Sequence, residues 1–426
     1  MENTEYRPRI ADNLLARRLR SSGAVVIEGA KWCGKTSTAE QFAQSKLFLS
    51  DNSLQQDHLR MADINPHLLL EGNTPRLLDE WQLAPKLWDA VRHTVDMRSK
   101  PGQFILTGSA VPTGTDQIHH SGTGRMSWLT MRPMSLWESG DSCGKVSIKA
   151  LFEGNTRVGE VNEGGDLERM ASLVCRGGWP IVTHLDEEAA LDVAFNYVDG
   201  LVHSDIQRLD EVSRDADRVN RILKAYARAQ GSQTTSVKLL QDICENDASC
   251  SINTLFSYLS ALRKIFVIED MPAWNPNLRS KTAIRTTDTR YFVDPSIATA
   301  VCGIGAGDLI NDLRTFGFFF ETLCVRDLRV YAQALDGEVR HYRDKNGLEC
   351  DAVIHLRNGK YGLIEIKLGG DTLIEDGVKS LLSLSGKIDT GKMPAPSFMM
   401  VLTATGNYAY TRKDGVIIVP ADMLKD

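Results

Sequence analysis

The stretch AVVIEGAKWCGKTSTAEQF, residues 24–42, decides how the chain is read. Gly29, Ala30, Lys31, Trp32, Cys33, Gly34, Lys35 and Thr36 fill the template G-x-x-x-x-G-K-[ST]. Such a loop turns its backbone N–H groups toward phosphate oxygens, with the lysine supplying charge and the threonine a hydroxyl for Mg²⁺. The apolar run Ala24 to Ile27 reads as a buried parallel strand. Thr36 to Phe42 reads as a helix whose N-terminal dipole faces the phosphates. Residues Gly29 through Ser37 are therefore expected to bind ATP.

Working outward, Ile10, Leu14, Leu15 and Leu19 share one helical face, a helix that packs on the first strand. Leu47 to Leu49 reads as a short strand, and residues 50–75 as a polar connection. Arg76-Leu77-Leu78-Asp79-Glu80 then reads as a strand ending in two acids. Asp79 is expected to hold Mg²⁺ and Glu80 to polarise the attacking water. The plainer alternative is a solvated acidic pair at a strand end.

Residues 83–97 have a helical rhythm. Phe104 to Ser109 forms the next buried strand, so strand, helix, strand gives a doubly wound α/β sheet. Thr107 and Ser109 should emerge beside Glu80, to sense the terminal phosphate or orient water, or simply to form a turn. Residues 110–124, with His119 and His120, read as a loop and not a metal site. Arg125 is the candidate for neutralising charge on the transferring phosphoryl group, in its own subunit or a neighbour, with Arg132 competing and a surface arginine as the alternative.

Tyr6-Arg7-Pro8-Arg9, GAKWCGKT, LLDEWQ, ILTGSA, Gly124-Arg125 and RPMSLWE, in that order, resemble the N-terminal half of a broad family of prokaryotic AAA-like P-loop ATPases of largely unassigned function. Arg176-Gly177-Gly178-Trp179-Pro180 resembles the turn that follows the ATPase core in that family. Ala30 and Lys31 stand where the family has proline and arginine, which keeps the charge and the loop length.

Beyond residue 180, residues 187–228 read as helical. A short helix from Val237, a Ser251-capped helix over residues 252–264 and a strand over residues 265–270 follow, the pattern of a winged helix. Ser257, Ser260, Arg263 and Lys264 are its candidate contacts to a DNA backbone. A helix over residues 317–330 carries Glu321, residues 341–354 form a hairpin around Asn346-Gly347, and residues 363–367 form a strand. Side chains two apart on a strand share a face, so Glu365 and Lys367 do. Asp351, Glu365 and Lys367, with Glu321 from the helix, make the pattern of restriction-endonuclease-like nucleases. There two carboxylates bind Mg²⁺ and the lysine stabilises charge. The family resemblance extends here too, implying a nuclease-like fold that serves for cleavage or for binding alone.

The expected domains are 1–180 (ATPase), 181–290 (helical lid and winged helix) and 291–426 (restriction-endonuclease-like). A net charge of -6 means that any DNA-binding surface is local. The eight cysteines form no C-x-x-C pair, which points away from a zinc site or disulfide framework and toward a reducing cytoplasm. No signal peptide or membrane-spanning run is read. Three functional readings stay open: an ATPase that rearranges its C-terminal domain on nucleic acid, a nucleotide-gated nuclease, and an ATP-bound switch or adaptor without turnover. A homo-oligomer is compatible with each.

Overall fold

The computed structural model describes residues 6–109, 122–162, 164–207, 209, 212, 214–245, 247, 249–276 and 287–426. Two compact units divide the chain: Met1–Pro133 with Ser204–Ser213 and Ala261–Val267, and Met134–His203 with Arg214–Ser260 and Ile268–Asp426.

In chain order, the first unit contains α1 (Ile10–Ser21), β1 (Ala24–Glu28), α2 (Lys35–Glu40), β2 (Ser45–Phe48), α3 (Gln55–Ile64), α4 (Pro66–Leu69), β3 (Arg76–Asp79), α5 (Lys86–Arg98), β4 (Phe104–Gly108) and β5 (Met126–Thr130). Its five strands are parallel in the order β2-β3-β4-β1-β5, so β4 lies between the strand before the phosphate loop and the strand that ends in Asp79. Alternation along the strands feeds two cores. Val25, Ile27, Leu77 and Ile105 pack with Leu14, Leu15 and Leu19 of α1 and Ala39 of α2. Ala24, Val26, Leu78 and Leu106 pack with Leu69, Leu87, Trp88 and Val91 on the other face. Helices on both faces make the sheet doubly wound, as the strand-helix alternation predicts.

The polar connection over residues 50–75 turns out to contain α3 and α4. Only Ala62 of α3 and Leu69 of α4 are buried, so the apolar stripe is too thin to show as a period in the sequence.

The second unit contains α6 (Leu136–Ser139), β6 (Val146–Ser147), α7 (Ile148–Phe152), β7 (Gly159–Val161), α8 (Leu167–Arg176), α9 (Glu187–Gly200), α10 (Ala216–Ala229), α11 (Ser236–Cys244) and most of α12 (Ile252–Lys264). It continues with α13 (Pro295–Cys302), α14 (Ala306–Asn311), α15 (Leu313–Ala334), β8 (Gly337–Arg343), β9 (Glu349–Leu356), β10 (Tyr361–Lys367), α16 (Asp371–Lys387), β11 (Phe398–Thr403), β12 (Tyr408–Thr411), β13 (Val416–Pro420) and β14 (Leu424–Lys425). A mixed sheet runs β7-β12-β13-β11-β10-β9-β8. Within it β8, β9 and β10 form an antiparallel meander, and α16 crosses over to β11, parallel to β10.

The Ser251 cap forms as expected, with its hydroxyl accepting from Thr254 N at 3.1 Å. The strand expected over residues 265–270 does not. Phe266 takes a left-handed backbone with φ 57°, which breaks the extended run, and only isolated bridges remain at Ile268–Phe292 and Met271–Thr289.

The Gly-Gly-Trp-Pro turn is explained by crowding. A Cβ at Gly178 would lie 2.2 Å from the Met134 carbonyl oxygen, and Gly177 has φ 75° with Ser296 Oγ 2.3 Å from where its Cβ would stand. The approach lets Gly178 N donate to Asp294 at 3.0 Å and Trp179 Nε1 donate to Ser296 at 3.0 Å. Asp294 in turn accepts from Arg326 of α15 at 2.9 Å, and Arg326 also pairs with Asp327 at 2.8 Å. Asp327 accepts from Leu136 N at 3.0 Å, and burial pushes its carboxyl up to about 6. Arg326→Leu would leave two buried carboxylates without their cation, and is expected to destabilise the second unit by about 3–5 kcal/mol. Guanidinium denaturation checks this; an unchanged midpoint would contradict the keystone role of Arg326.

Candidate nucleotide site and C-terminal acidic cluster

The loop between β1 and α2 is shaped by its glycines. Gly29 has φ 147°, and a Cβ there would lie 2.0 Å from the Met131 carbonyl oxygen. Gly34 takes a left-handed φ of 97° as the residue capping α2. Cys33 is buried and its Sγ donates to Met131 O at 3.4 Å. Arg9 ties the loop down from outside, donating to Cys33 O at 2.7 Å and Arg132 O at 2.8 Å. Buried Lys35 donates to the carbonyls of Gly29 at 3.0 Å and Ala30 at 2.8 Å, which holds its ammonium inside the curl of the loop. Lys31, Trp32 and Ser37 are exposed, and Lys31 pairs with Asp205.

The strand ends complete the site. Asp79, at the end of β3, is in register with Thr107 of β4, which is in register with Ile27 of β1. Asp79 Oδ1 accepts from Thr36 Oγ1 at 2.7 Å and from Thr107 Oγ1 at 2.6 Å. Thr107 is buried and thus orients Asp79. Glu80 sits in the left-handed region with φ 55°, a conformation that costs a non-glycine residue energy and turns the chain sharply off the sheet. Its carboxylate accepts from Gln82 Nε2 and from Ser109 Oγ, the latter at 3.2 Å. Thr36 and Asp79 offer a hydroxyl and a buried carboxylate side by side, the hard-oxygen donor set that suits Mg²⁺.

Arg125 requires a correction. It precedes Met126, whose partner on β1 is Ala24, whereas the phosphate loop leaves β1 at Glu28, opposite Thr130. Four strand rises of ~3.3 Å separate these edges, and Arg125 pairs there with Asp96 at 2.8 Å. Within its own chain it is not at the nucleotide edge. Arg132 is, because Met131 N donates to Glu28 O at 2.7 Å just before it. His119 and His120 lie outside the described residues.

In the second unit, α15, β9 and β10 bring together Glu321, Asp351, Glu365 and Lys367. Lys367 Nζ lies 2.9 Å from Asp351 Oδ2 and 2.6 Å from Glu365 Oε2. Asp351 Oδ2 also accepts from Ile366 N at 2.8 Å. Burial and then the charge of Asp351 hold the Glu365 carboxyl well above the usual range. Glu321 accepts from the hydroxyl of buried Tyr291, and burial followed by the charge of Asp351 pushes its carboxyl up to about 8. Among the described residues, no group of three or more His, Cys, Asp and Glu side chains is arranged to hold a metal on its own. On α12, Ser260 and Arg263 are exposed while Ser257 and Lys264 are half-buried.

Sequence reasoning missed Gln82, Tyr291 and Asp205 as members of these sites. Gln82 stands two residues after Glu80, a usable signal. The other two come from distant segments and leave no local mark.

The family model of an AAA domain matches residues 21–139, a stretch that includes the phosphate loop, Asp79, Glu80 and Thr107. Two domains of unknown function, DUF8612 and DUF4143, match residues 167–308 and 316–424. The uncharacterized proteins Rv2008c of Mycobacterium tuberculosis and Mb2031c of Mycobacterium bovis are each 22% identical over 415 residues, covering 96% of this chain and 82% of theirs. Among solved structures, the Walker-type ATPase PABY2304 of Pyrococcus abyssi is similar with a TM-score of 0.42 and 14% identity, over 70% of this chain and 99% of its own. Residues 21–139, which match the AAA-domain model, hold the parallel five-stranded sheet and the phosphate-loop motif of a P-loop NTPase fold.

Glu321, inside the DUF4143 match, gives a test by titration. Its folded value of about 8 lies above the ordinary 4.5. Between those values the unfolded chain has released a proton that the folded chain keeps, so stability falls as pH rises through this window. Glu321→Gln, neutral at every pH, should flatten that decline. Thermal melts from about pH 5 to about pH 8 in chelator check it; parallel curves for variant and wild type would refute it.

Proposed function

We propose that the chain is a Mg²⁺-dependent ATPase whose turnover drives rearrangement of its C-terminal part on a nucleic acid. The observation that carries this is the convergence of Thr36 and Thr107 on Asp79, with Glu80 next in sequence and turned off the sheet edge. Lys35 and the loop N–H groups would bind the phosphates, and Thr36 with Asp79 would hold the metal. Bound there, Mg²⁺ would supply charge neutralisation for the terminal phosphates. Glu80 would take the proton of the attacking water, and Ser109 would help hold Glu80 in place. Arg132 would be the nearer arginine to the terminal phosphate. The segments 1–180, 181–290 and 291–426 would act as ATPase, helical region and nuclease-like domain. The described helices include none long and apolar enough to cross a membrane. A cytoplasmic protein, alone or as a homo-oligomer, suits this reading.

A second reading, a nucleotide-gated nuclease, is favoured by the order α15-β8-β9-β10-α16-β11, with Asp351 on β9 and Glu365 and Lys367 on β10. Helix, three-stranded meander, crossover helix and parallel strand, with the acids on the two central strands, is an arrangement on which phosphodiester cleavage can be built.

Purified protein is expected to hydrolyse ATP, faster with DNA present, and Lys35→Ala and Glu80→Gln are each expected to lower kcat by about 10²-fold or more. Phosphate release, measured with and without single- and double-stranded DNA, checks it, and wild-type rates in both variants would sink the ATPase reading. For the second reading, Mg²⁺-dependent nicking should vanish in Asp351→Ala and Lys367→Ala. No cleavage of any DNA or RNA form, with or without ATP, would reject it.

A further inference from the structure

We infer that Gln82 is a positioning residue for the ATPase reaction, holding Glu80 through its amide nitrogen and accepting from the attacking water through its carbonyl oxygen. The inference rests on the ATPase reading above. Three observations carry it.

First, the left-handed backbone at Glu80 starts a short 3₁₀ turn, Trp81–Leu83, that brings the Gln82 side chain back alongside the Glu80 carboxylate. There Gln82 Nε2 donates to Glu80 Oε2. An ionised carboxylate only accepts, so this contact fixes the amide: nitrogen toward Glu80, oxygen away from it.

Second, that oxygen, Gln82 Oε1, is buried and has no hydrogen-bond partner among the described residues. A buried acceptor without a donor is uncommon in a folded protein and marks a place for a donor that the described residues do not supply. Beside a general base in an ATPase, the donor that fits is the attacking water. It has two O–H groups, one for Glu80 and one for Gln82.

Third, the sheet makes room for this oxygen. A Cβ at Gly108 would stand 2.7 Å from Gln82 Oε1 and 3.3 Å from Trp81 Nε1. Gly108 is not among the residues with positive φ, so its backbone conformation does not demand glycine. A methyl group there would instead press on the end of the Gln82 side chain. Ser109, the next residue, donates to Glu80 at 3.2 Å, so β4 supports the glutamate with one residue and clears its partner amide with the residue before.

In the step this group serves, the water oxygen forms a bond to the terminal phosphorus of ATP and the bridging P–O bond breaks. The bond's electron pair leaves with ADP, and the water proton passes to the Glu80 carboxylate. Gln82 undergoes no covalent change; it accepts one O–H of the water and so aims a lone pair at phosphorus.

The test uses the full chain and four forms: wild type, Gln82→Ala, Gly108→Ala and the double variant. Gln82→Ala should lower kcat by about 10- to 100-fold while the dissociation constant for ATP shifts less than about 3-fold. Gly108→Ala, which leaves Gln82 in place and pushes on its oxygen, should also lower kcat. In the double variant the methyl group no longer meets an amide, so kcat should match Gln82→Ala alone, a non-additivity that a general loss of stability would not produce. A kcat for Gln82→Ala within about 2-fold of wild type, while Lys35→Ala and Glu80→Gln lose turnover, overturns the role of Gln82 and leaves the ATPase reading intact. Additive effects of Gln82→Ala and Gly108→Ala also overturn it. Absence of turnover in the wild type overturns both together.

Discussion

A single carboxylate oxygen, Asp79 Oδ1, takes hydrogen bonds from Thr36 and Thr107, and the geometry of the first unit can be traced to the need for these three residues to meet. They come from the start of a helix, the end of one strand and the end of its neighbour. Burying Asp79 is costly without hydrogen-bond donors, and two hydroxyls at 2.6 and 2.7 Å supply them to Oδ1. The arrangement works only because β4 lies between β1 and β3 in parallel register. A slip of one residue would send Thr107 to the opposite face of the sheet. Placing Asp79 at the last position of its strand also leaves Glu80 free to leave the sheet.

Much of this was legible in the sequence because it is local. The phosphate loop, the two acids after an apolar run and the small hydroxyl residues after the next run each declare themselves within about ten residues, and strand ends in a parallel sheet gather at one edge. What was not legible depends on direction or on distant partners. Arg125 looked close to the site because it borders a strand, but it borders the beginning of that strand, which lies at the opposite edge. The helices over residues 55–69 bury too few apolar side chains to leave a period. The strand expected after α12 was interrupted by a left-handed Phe266, a residue whose type gives no warning of positive φ.

In the second unit Arg326 and Lys367 each sit among carboxylates, and the contrast between them shows how similar ingredients are arranged differently. Arg326 is almost fully buried between Asp294 and Asp327, and each aspartate is satisfied further by a backbone N–H. Every partner is accounted for, so the network fixes the Gly-Gly-Trp-Pro turn against α15 and leaves no group to react. Lys367 differs. It faces Asp351 and Glu365 with 23% of its side chain exposed, and Glu321 nearby is held by Tyr291 with its carboxyl pushed up to about 8. Three acids share one ammonium in a place that solvent reaches. Burial and the crowding of acids together hold the Glu321 and Glu365 carboxyls above the usual range, which costs a fold stability.

Lys31 and Asp205 extend this reasoning to the loop itself. They lie 174 residues apart, and the pair is exposed at Lys31, so it contributes little to stability. Its effect is on charge. Two lysines flank the curl of the phosphate loop, but only Lys35, folded inside against the Gly29 and Ala30 carbonyls, keeps its charge directed at the loop's interior. The charge of Lys31 is opposed by a carboxylate from the end of a π-helical turn, Leu201–Asp205, a geometry found more often at functional sites than in plain scaffolding. The charge at position 31 is thus engaged by a second segment of the chain. Within the loop, then, Lys35 keeps its ammonium against the Gly29 and Ala30 carbonyls, while the ammonium of Lys31 is turned to Asp205.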